Sequence, residues 1–216
     1  MRLEINMTEF VEITKKFFNE KDIKNIIEIG SLNGNDALFF KTCFPESNVY
    51  CIEGLPDNYN TYLKNLTNIT PINIVIADYD GEITYHKKNV NGIHGILNRG
   101  DEYGTETITL ECKTIKTLCN DYNIQSIDFV KIDVEGATYE ILNGMSEMLD
   151  TIKIMHIETE SYPFFKGQKL HDEVADYLTN KDFTMVDMTS VNINNGQQYD
   201  SVWINNKFIN EKRMVS

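Results

Sequence analysis

Short apolar runs alternate with stretches of helical periodicity along most of the chain. Asn25–Gly30, Asn48–Ile52, Ile72–Ala77, Asp128–Ile132 and Lys153–Glu158 are brief, rich in Ile and Val, and bounded by turn residues. That pattern predicts strands buried on both faces. Between them Asp36–Cys43, Asp57–Leu66, Thr114–Tyr122 and Thr138–Leu149 predict helices, the first stopped by Pro45. Within the first 24 residues Thr8 is placed to cap a helix with Phe10, Val11, Thr14, Phe17 and Phe18 on one side. Leu170–Asn180 predicts a last helix, and Phe183–Met188 and Tyr199–Asn205 two last strands, with a hairpin turn at Asn194-Asn-Gly-Gln. The alternation breaks over residues 80–113. There a turn at Asp80-Gly81, strand-like Glu82–His86, an irregular Gly-rich stretch over 89–105 and strand Thr107–Cys112 predict an insertion with a hairpin or edge pair and a mobile loop. Strands separated by helices predict one α/β domain over residues 1–216, with a mostly parallel sheet covered on both faces and an antiparallel C-terminal hairpin.

Composition narrows the classes of function. At 216 residues the chain holds one large domain, and no apolar run approaches the roughly 18–20 residues that span a membrane. The N-terminal segment carries Glu4 and Glu9 and does not have the form of a signal peptide. Cys43, Cys51, Cys112 and Cys119 form no C-x-x-C pair and are expected to be free thiols in a reducing compartment, which points to the cytoplasm. The net charge of −13 opposes a nucleic acid or an anionic membrane surface as partner. A small molecule or glycan held in a local pocket suits it better.

In a parallel α/β sheet ligands bind beyond the carboxyl ends of the strands, here just after Ile29, Ile52, Ala77, Ile132 and Ile157. After the first comes Glu28-Ile-Gly30-Ser31-Leu-Asn33-Gly34-Asn-Asp36, with glycines for a tight turn and for close backbone approach to a ligand. The spacing is G-x-x-x-G, without the third glycine of a dinucleotide fingerprint, so a pyrophosphate cradle is disfavoured. Glu53, followed by Gly54, is placed to accept both hydroxyls of a ribose, and Ala77-Asp78 to flank an adenine. These groups suggest a nucleoside bound without a pyrophosphate clamp. S-adenosylmethionine, a nucleoside with a cationic sulfonium and an ammonium, suits such an acidic pocket.

The most specific segment closes the fourth strand: Lys131-Ile-Asp133-Val-Glu135-Gly136-Ala137. Here the chain resembles the FkbM family of methyltransferases, and the match extends from Glu28-Ile-Gly30 through Glu53, Ala77-Asp-Tyr-Asp-Gly81 and His156-Ile-Glu158 to Tyr199-Asp-Ser-Val-Trp203, roughly residues 24–206. The resemblance implies a Rossmann-like, doubly wound sheet of seven strands, S-adenosylmethionine as donor, and O-methylation of a sugar or natural-product hydroxyl. It assigns the methionine moiety to Glu28, Gly30 and Gly34, the ribose to Glu53, the adenine to Asp78, and a place beside the sulfonium to Asp133. Gly54 stands where the family usually has Pro, Thr138 where Glu follows Gly-Ala, and Ser31-Leu-Asn33 where Ala-Asn-x is usual. These departures bear on substrate choice more than on the cofactor.

An aliphatic hydroxyl needs a base or a metal to weaken its proton. Asp133 is the first candidate base, with Glu135, His94, His156 and Glu158 as others; Asp133, Glu135 and Glu158 form a carboxylate set able to hold Mg²⁺. After the fifth strand come Glu160, Tyr162, Phe164 and Phe165, whose aromatic rings can stack on a sugar or simply pack. Two other classes compete. Tyr177-Leu-Thr-Asn-Lys181 has the Tyr-x-x-x-Lys spacing of some nicotinamide-dependent sugar enzymes, and a scaffold protein can keep this fold without catalysis.

Overall fold

The computed structural model describes residues 6–209 apart from Asn91 and Asn194. Its main sheet has seven strands: β1 (Asn25–Ile29), β2 (Asn48–Glu53), β3 (Thr70–Asn73), β7 (Phe129–Ile132), β8 (Ile154–Glu160), β9 (Phe183–Ile193) and β10 (Gly196–Asn205). They lie in the order β3-β2-β1-β7-β8-β10-β9. The first five are parallel, and β10 runs antiparallel to both β8 and β9. The order reverses between β1 and β7, which opens a crevice at their carboxyl ends. A second sheet contains β4 (Val75–Ile76), β5 (Gly81–Lys87) and β6 (Glu106–Lys113) in the order β4-β6-β5.

Helices α1 (Met7–Phe17) and α2 (Asn35–Cys43) cover one face of the main sheet, and α4 (Ile115–Asp121), α5 (Thr138–Gly144) and α6 (His171–Asn180) the other. The two-residue period of the strands divides the core accordingly. Ile26, Phe129 and Ile154 pack with Phe10 and Phe40 on the first face, whereas Ile29, Ile132 and Ile157 pack with Ile141, Leu142 and Val174 on the second. Phe10 meets Phe129 edge to face at 4.5 Å between centroids.

Several boundaries differ from the sequence expectation for identifiable reasons. The cap of α1 is Asn6 rather than Thr8: its Oδ1 accepts from Glu9 N at 3.0 Å while Glu9 accepts from Asn6 N at 3.3 Å. The expected helix 57–66 is a short α3 (Pro56–Asn58) that widens into a π turn over Tyr59–Leu63. The helix expected through Leu149 is α-helical only to Gly144 and tightens to a 3₁₀ turn over Ser146–Thr151, entered at Ser146 with φ +51°. The third strand splits: β3 stays in the main sheet, and after Asn73 the chain crosses to pair Val75 and Ile76 with Cys112 and Lys113 of β6. The expected hairpin turn joins β9 and β10, with its Asn194 outside the described residues. The four cysteines are free, three of them buried. Among the described residues no helix is long and apolar enough to cross a membrane.

Candidate active site

Two cavities open at the carboxyl edge of the main sheet. The first, of about 280 Å³, lies beyond β1, β2 and β7 and is walled by Gly30, Leu32, Glu53, Gly54 and the Ile74–Ile76 crossing. That volume is at the small end for a ligand pocket. Segment Gly92–Ile96 closes it from above, and Asp133, Glu135 and Glu158 form its far wall. The second, of about 390 Å³, lies beside it and is walled by Asn6 and Met7 at the start of α1 together with Lys131, His156, Gln198 and Asp200. Asp133 and Glu158 belong to both walls.

The turn after β1 is tight. Gly30 takes φ +85°, and a β-carbon there would lie 1.7 Å from the carbonyl oxygen of Asp133, so only glycine lets the β1 and β7 loops touch. Leu32, at φ +47°, donates its N–H to Glu53 Oε2 at 2.9 Å, and Leu55 donates to Oε1 at 2.7 Å. Glu53 is thereby held at the end of β2 with lone pairs left for a ligand. Burial pushes its carboxyl above the usual range, and those two backbone bonds oppose the shift.

The far wall is crowded with carboxylates. Oxygens of Asp133, Glu135 and Glu158 lie within 4.8 Å of one another. Burial and the charge of Asp133 raise Glu135 to about 8, against the pull of Arg99, whose guanidinium reaches Glu135 Oε2 at 2.9 Å. Burial, then Asp133 and Glu135, raise Glu158 well above the carboxylate range; Gln198 Nε2 donates to it. Burial raises Glu160 to about 7, and Gln168 donates to it. Glu135 sits at φ +54° and Gly136 at +84°, two left-handed residues in succession that aim the Glu135 side chain into the cavity.

A buried polar row runs under this edge. Glu28, Lys131 and His156 are register partners on β1, β7 and β8, so all three face the α1 and α2 side. Lys131 Nζ reaches Asp36 at 2.7 Å, Asp133 at 3.1 Å and Glu28 at 3.9 Å. Burial holds Glu28 at about 7 despite Lys131. His156 makes no hydrogen bond through either ring nitrogen among the described residues, although Nε2 lies 3.5 Å from Asp200 Oδ1. Burial, then Lys131, depresses it to about 3, so its ring is neutral.

Of the residues singled out in the sequence, Gly30, Glu53, Gly54, His94, Asp133, Glu135 and Glu158 meet at the first cavity, and Asp36 and His156 at the second. Others do not reach either. Glu28 points beneath the sheet edge toward Lys131, and Ser31 is buried with its Oγ donating to the Glu28 carbonyl at 3.3 Å. Asn33 is exposed and accepts from Asn35 N, and Gly34 packs on Leu66. Ala77 and Asp78 lie past the crossing to the second sheet, so Ile74–Ile76 takes the wall expected of them. His94 Nδ1 accepts from Lys88 N at 2.9 Å, which leaves the proton of the neutral ring on Nε2. His94 therefore presents a donor to the cavity and not a base. Tyr177 and Lys181 are on neither wall: Tyr177 donates to the Leu142 carbonyl, and Lys181 sits over its ring. Phe165 supports Gly136 and Arg99 from below, and Tyr162 pairs with Phe164. Arg99 and Gln198 escaped the sequence reading, and Lys131 and Asp200 entered it only inside quoted motifs, without a role; the signal for Lys131 was a lone cation inside the apolar run of β7.

Comparison with known proteins follows this geometry. The sequence model of the methyltransferase FkbM domain matches residues 28–185. Two curated relatives are similar: the 2-O-methyltransferase NoeI of Sinorhizobium fredii (strain NBRC 101917 / NGR234), 24% identical over 176 residues, 74% of this chain and 72% of that protein, and the hexuronic acid methyltransferase AglP of Haloferax volcanii, 25% identical over 142 residues, 61% of this chain and 54% of that protein. Among solved structures, M. capricolum TrmK with S-adenosylhomocysteine is 13% identical with a TM-score of 0.52, over 91% of this chain and 68% of that one. The METTL16 methyltransferase domain is 8% identical with a TM-score of 0.55, over 91% of this chain and 66% of that one. At these identities the structures speak to the fold alone. With its Lys131–Ala137 segment at the switch point and a match over most of its length, the chain belongs to the FkbM family of methyltransferases.

Proposed function

We propose that the protein is an S-adenosylmethionine-dependent O-methyltransferase acting on a sugar or glycan hydroxyl. The observation that carries this reading is the pair of cavities with a shared carboxylate wall. The first fits the donor by the chemistry of its lining: an anchored carboxylate at Glu53 for the ribose, apolar Ile74 and Ile76 for the adenine, and acidic Asp133 for the cationic end. When bound, S-adenosylmethionine supplies an electrophilic methyl group whose leaving sulfur needs no acid. What remains for the chain is alignment and deprotonation.

Glu158 is the base we favour, because it faces both cavities and its proton affinity is raised. Positive charge in the first cavity would lower that affinity and favour the ionised carboxylate. Asp133, tied to Lys131, sits between the cavities as an oriented negative charge. His94, on the closing segment, would offer its Nε2–H to the donor. Arg99 already gives Glu135 a cationic partner, and we assign the carboxylate cluster to the donor's charge in preference to Mg²⁺. The sugar class rests on likeness to relatives named for 2-O- and hexuronic acid methylation.

Calorimetry with S-adenosylhomocysteine and NAD⁺ tests the donor. We expect S-adenosylhomocysteine alone to bind, with Glu53→Gln weakening it about tenfold, one lost charged hydrogen bond, and EDTA without effect. Binding of NAD⁺ alone would overturn the reading, and binding of neither would favour a scaffold.

A further inference from the structure

One side chain of the insertion reaches the first cavity. Strand β5 carries a single buried residue, Tyr85, 8% exposed. Its ring packs with Leu55, Val75, Ala77 and Cys112 in a small core apart from those of the main sheet. Gly54 leaves the room for it: a β-carbon there would lie 3.0 Å from Val75 Cγ2 and 3.3 Å from Tyr85 Cε2. Tyr85 thereby continues the cavity wall that Glu53 and Gly54 begin.

The ring explains the packing, and phenylalanine would pack as well. The hydroxyl is what the fold leaves over. A buried tyrosine oxygen usually finds a partner, but that of Tyr85 makes no hydrogen bond among the described residues. Nor is it sealed. The fully buried side-chain atoms without a partner belong, among the described residues, to Glu28, Glu140, His156 and Thr189. An oxygen of Tyr85 that is neither bonded nor sealed opens on the cavity its residue lines.

The surroundings select what it can meet there. Burial, then the charges of Glu53 and Glu135, hold the phenol above the ordinary tyrosine range, so it stays protonated and offers an O–H donor. Its ring lies against Gly54, next in the chain to the carboxylate that suits a ribose. A ribose hydroxyl that gives its hydrogen to Glu53 keeps its own lone pairs, and a phenol on the same wall can fill one of them.

Resting on the methyltransferase reading above, we propose that Tyr85 is a donor-binding residue, its hydroxyl donating a hydrogen bond to a ribose hydroxyl oxygen of the nucleoside while Glu53 accepts from the same diol. The insertion then contributes to donor recognition as well as to closure of the cavity.

Calorimetry with S-adenosylhomocysteine and with its 2′-deoxy and 3′-deoxy analogues tests this on the wild type and on Tyr85→Phe, with melting curves taken without ligand. We expect Tyr85→Phe to bind S-adenosylhomocysteine about threefold to tenfold more weakly. It should melt at or above the wild-type temperature, because the ring stays and only an unpaired hydroxyl goes. For the analogue that lacks the contacted hydroxyl, wild type and variant should bind alike within about twofold. A variant that binds S-adenosylhomocysteine as the wild type does overturns the assignment alone. So does a loss that persists undiminished with both analogues, or a lowered melting temperature, which would mean that the hydroxyl serves the fold. Failure of the wild type to bind S-adenosylhomocysteine overturns the donor reading and this assignment with it.

Discussion

Gly30 and Gly136 show how single backbone positions set the site. Both require positive φ, and a β-carbon at Gly136 would lie 2.4 Å from the ring of Phe165. We expect Gly136→Ala to destabilise by about 2–4 kcal/mol, combining strain with overpacking; for a chain of this length that is about 4–16 °C in Tm, read by thermal denaturation. Gly30→Ala should do worse, because its clash is with backbone. At this scale the sequence was partly legible. Glu53 lines the first cavity as expected because a strand-end position fixes where a side chain points. Glu28, one residue before the strand's last, faces the other side of the sheet, toward Lys131. Gln198 and Asp200 stayed hidden because their meaning depends on which strand β10 pairs with, and that pairing is not local.

Among the elements, the loop that follows the segment closing the first cavity is tied down by a buried lysine. Lys88 is 5% exposed and its Nζ donates to Asn98 Oδ1 at 2.7 Å and to the carbonyls of Gly100 and Gly104 at 2.9 Å each. Lys88→Met keeps the stem and removes three charged hydrogen bonds. We expect faster amide exchange over residues 92–104, and an S-adenosylhomocysteine affinity reduced about threefold to tenfold, with the sheet's exchange unchanged. The insertion was visible in the sequence as a lapse in alternation. The split of the third strand was not, because Ile72–Ala77 is uniformly apolar and period alone cannot say that its two halves belong to different sheets. The ends of α3 and α5 were overrun for a related reason: apolar spacing continues through the π and 3₁₀ turns that replace the α-helix.

For the molecule as a whole, acidity is concentrated where it affects folding. Glu135 has a folded-state affinity for protons raised to about 8 from 4.5. A carboxyl raised in the folded state contributes stability that is full below the unfolded value and fades as pH climbs through the folded one. Glutamine mimics the protonated form at every pH. Glu135→Gln should therefore gain on the wild type between about pH 4.5 and 8, whatever fixed offset the loss of the Arg99 pair imposes. Paired melting curves at pH 5 and pH 8 should show the Tm difference moving by several degrees in favour of the variant; a constant difference would contradict the raised affinity. The main-sheet architecture was legible from alternation and turn chemistry. The sharing of one acidic wall by two cavities was not, since it arises only when β7 and β8 lie side by side.

That shared wall makes the two compartments answer to each other. Any charge gained or lost in one is felt as a change in proton affinity in the other, and linkage requires the influence to be mutual. Burial and its acidic neighbours favour the protonated form of Glu158, and on the proposed reading positive charge in the first cavity would favour the ionised one. On the proposed reading, loss of the donor's positive charge on methyl transfer would raise the proton affinity of Glu158 again. S-adenosylmethionine should thus be held more tightly than S-adenosylhomocysteine, and Glu158→Gln should shrink the ratio of the two affinities, so that one carboxyl group sets both the timing of deprotonation and the direction of exchange.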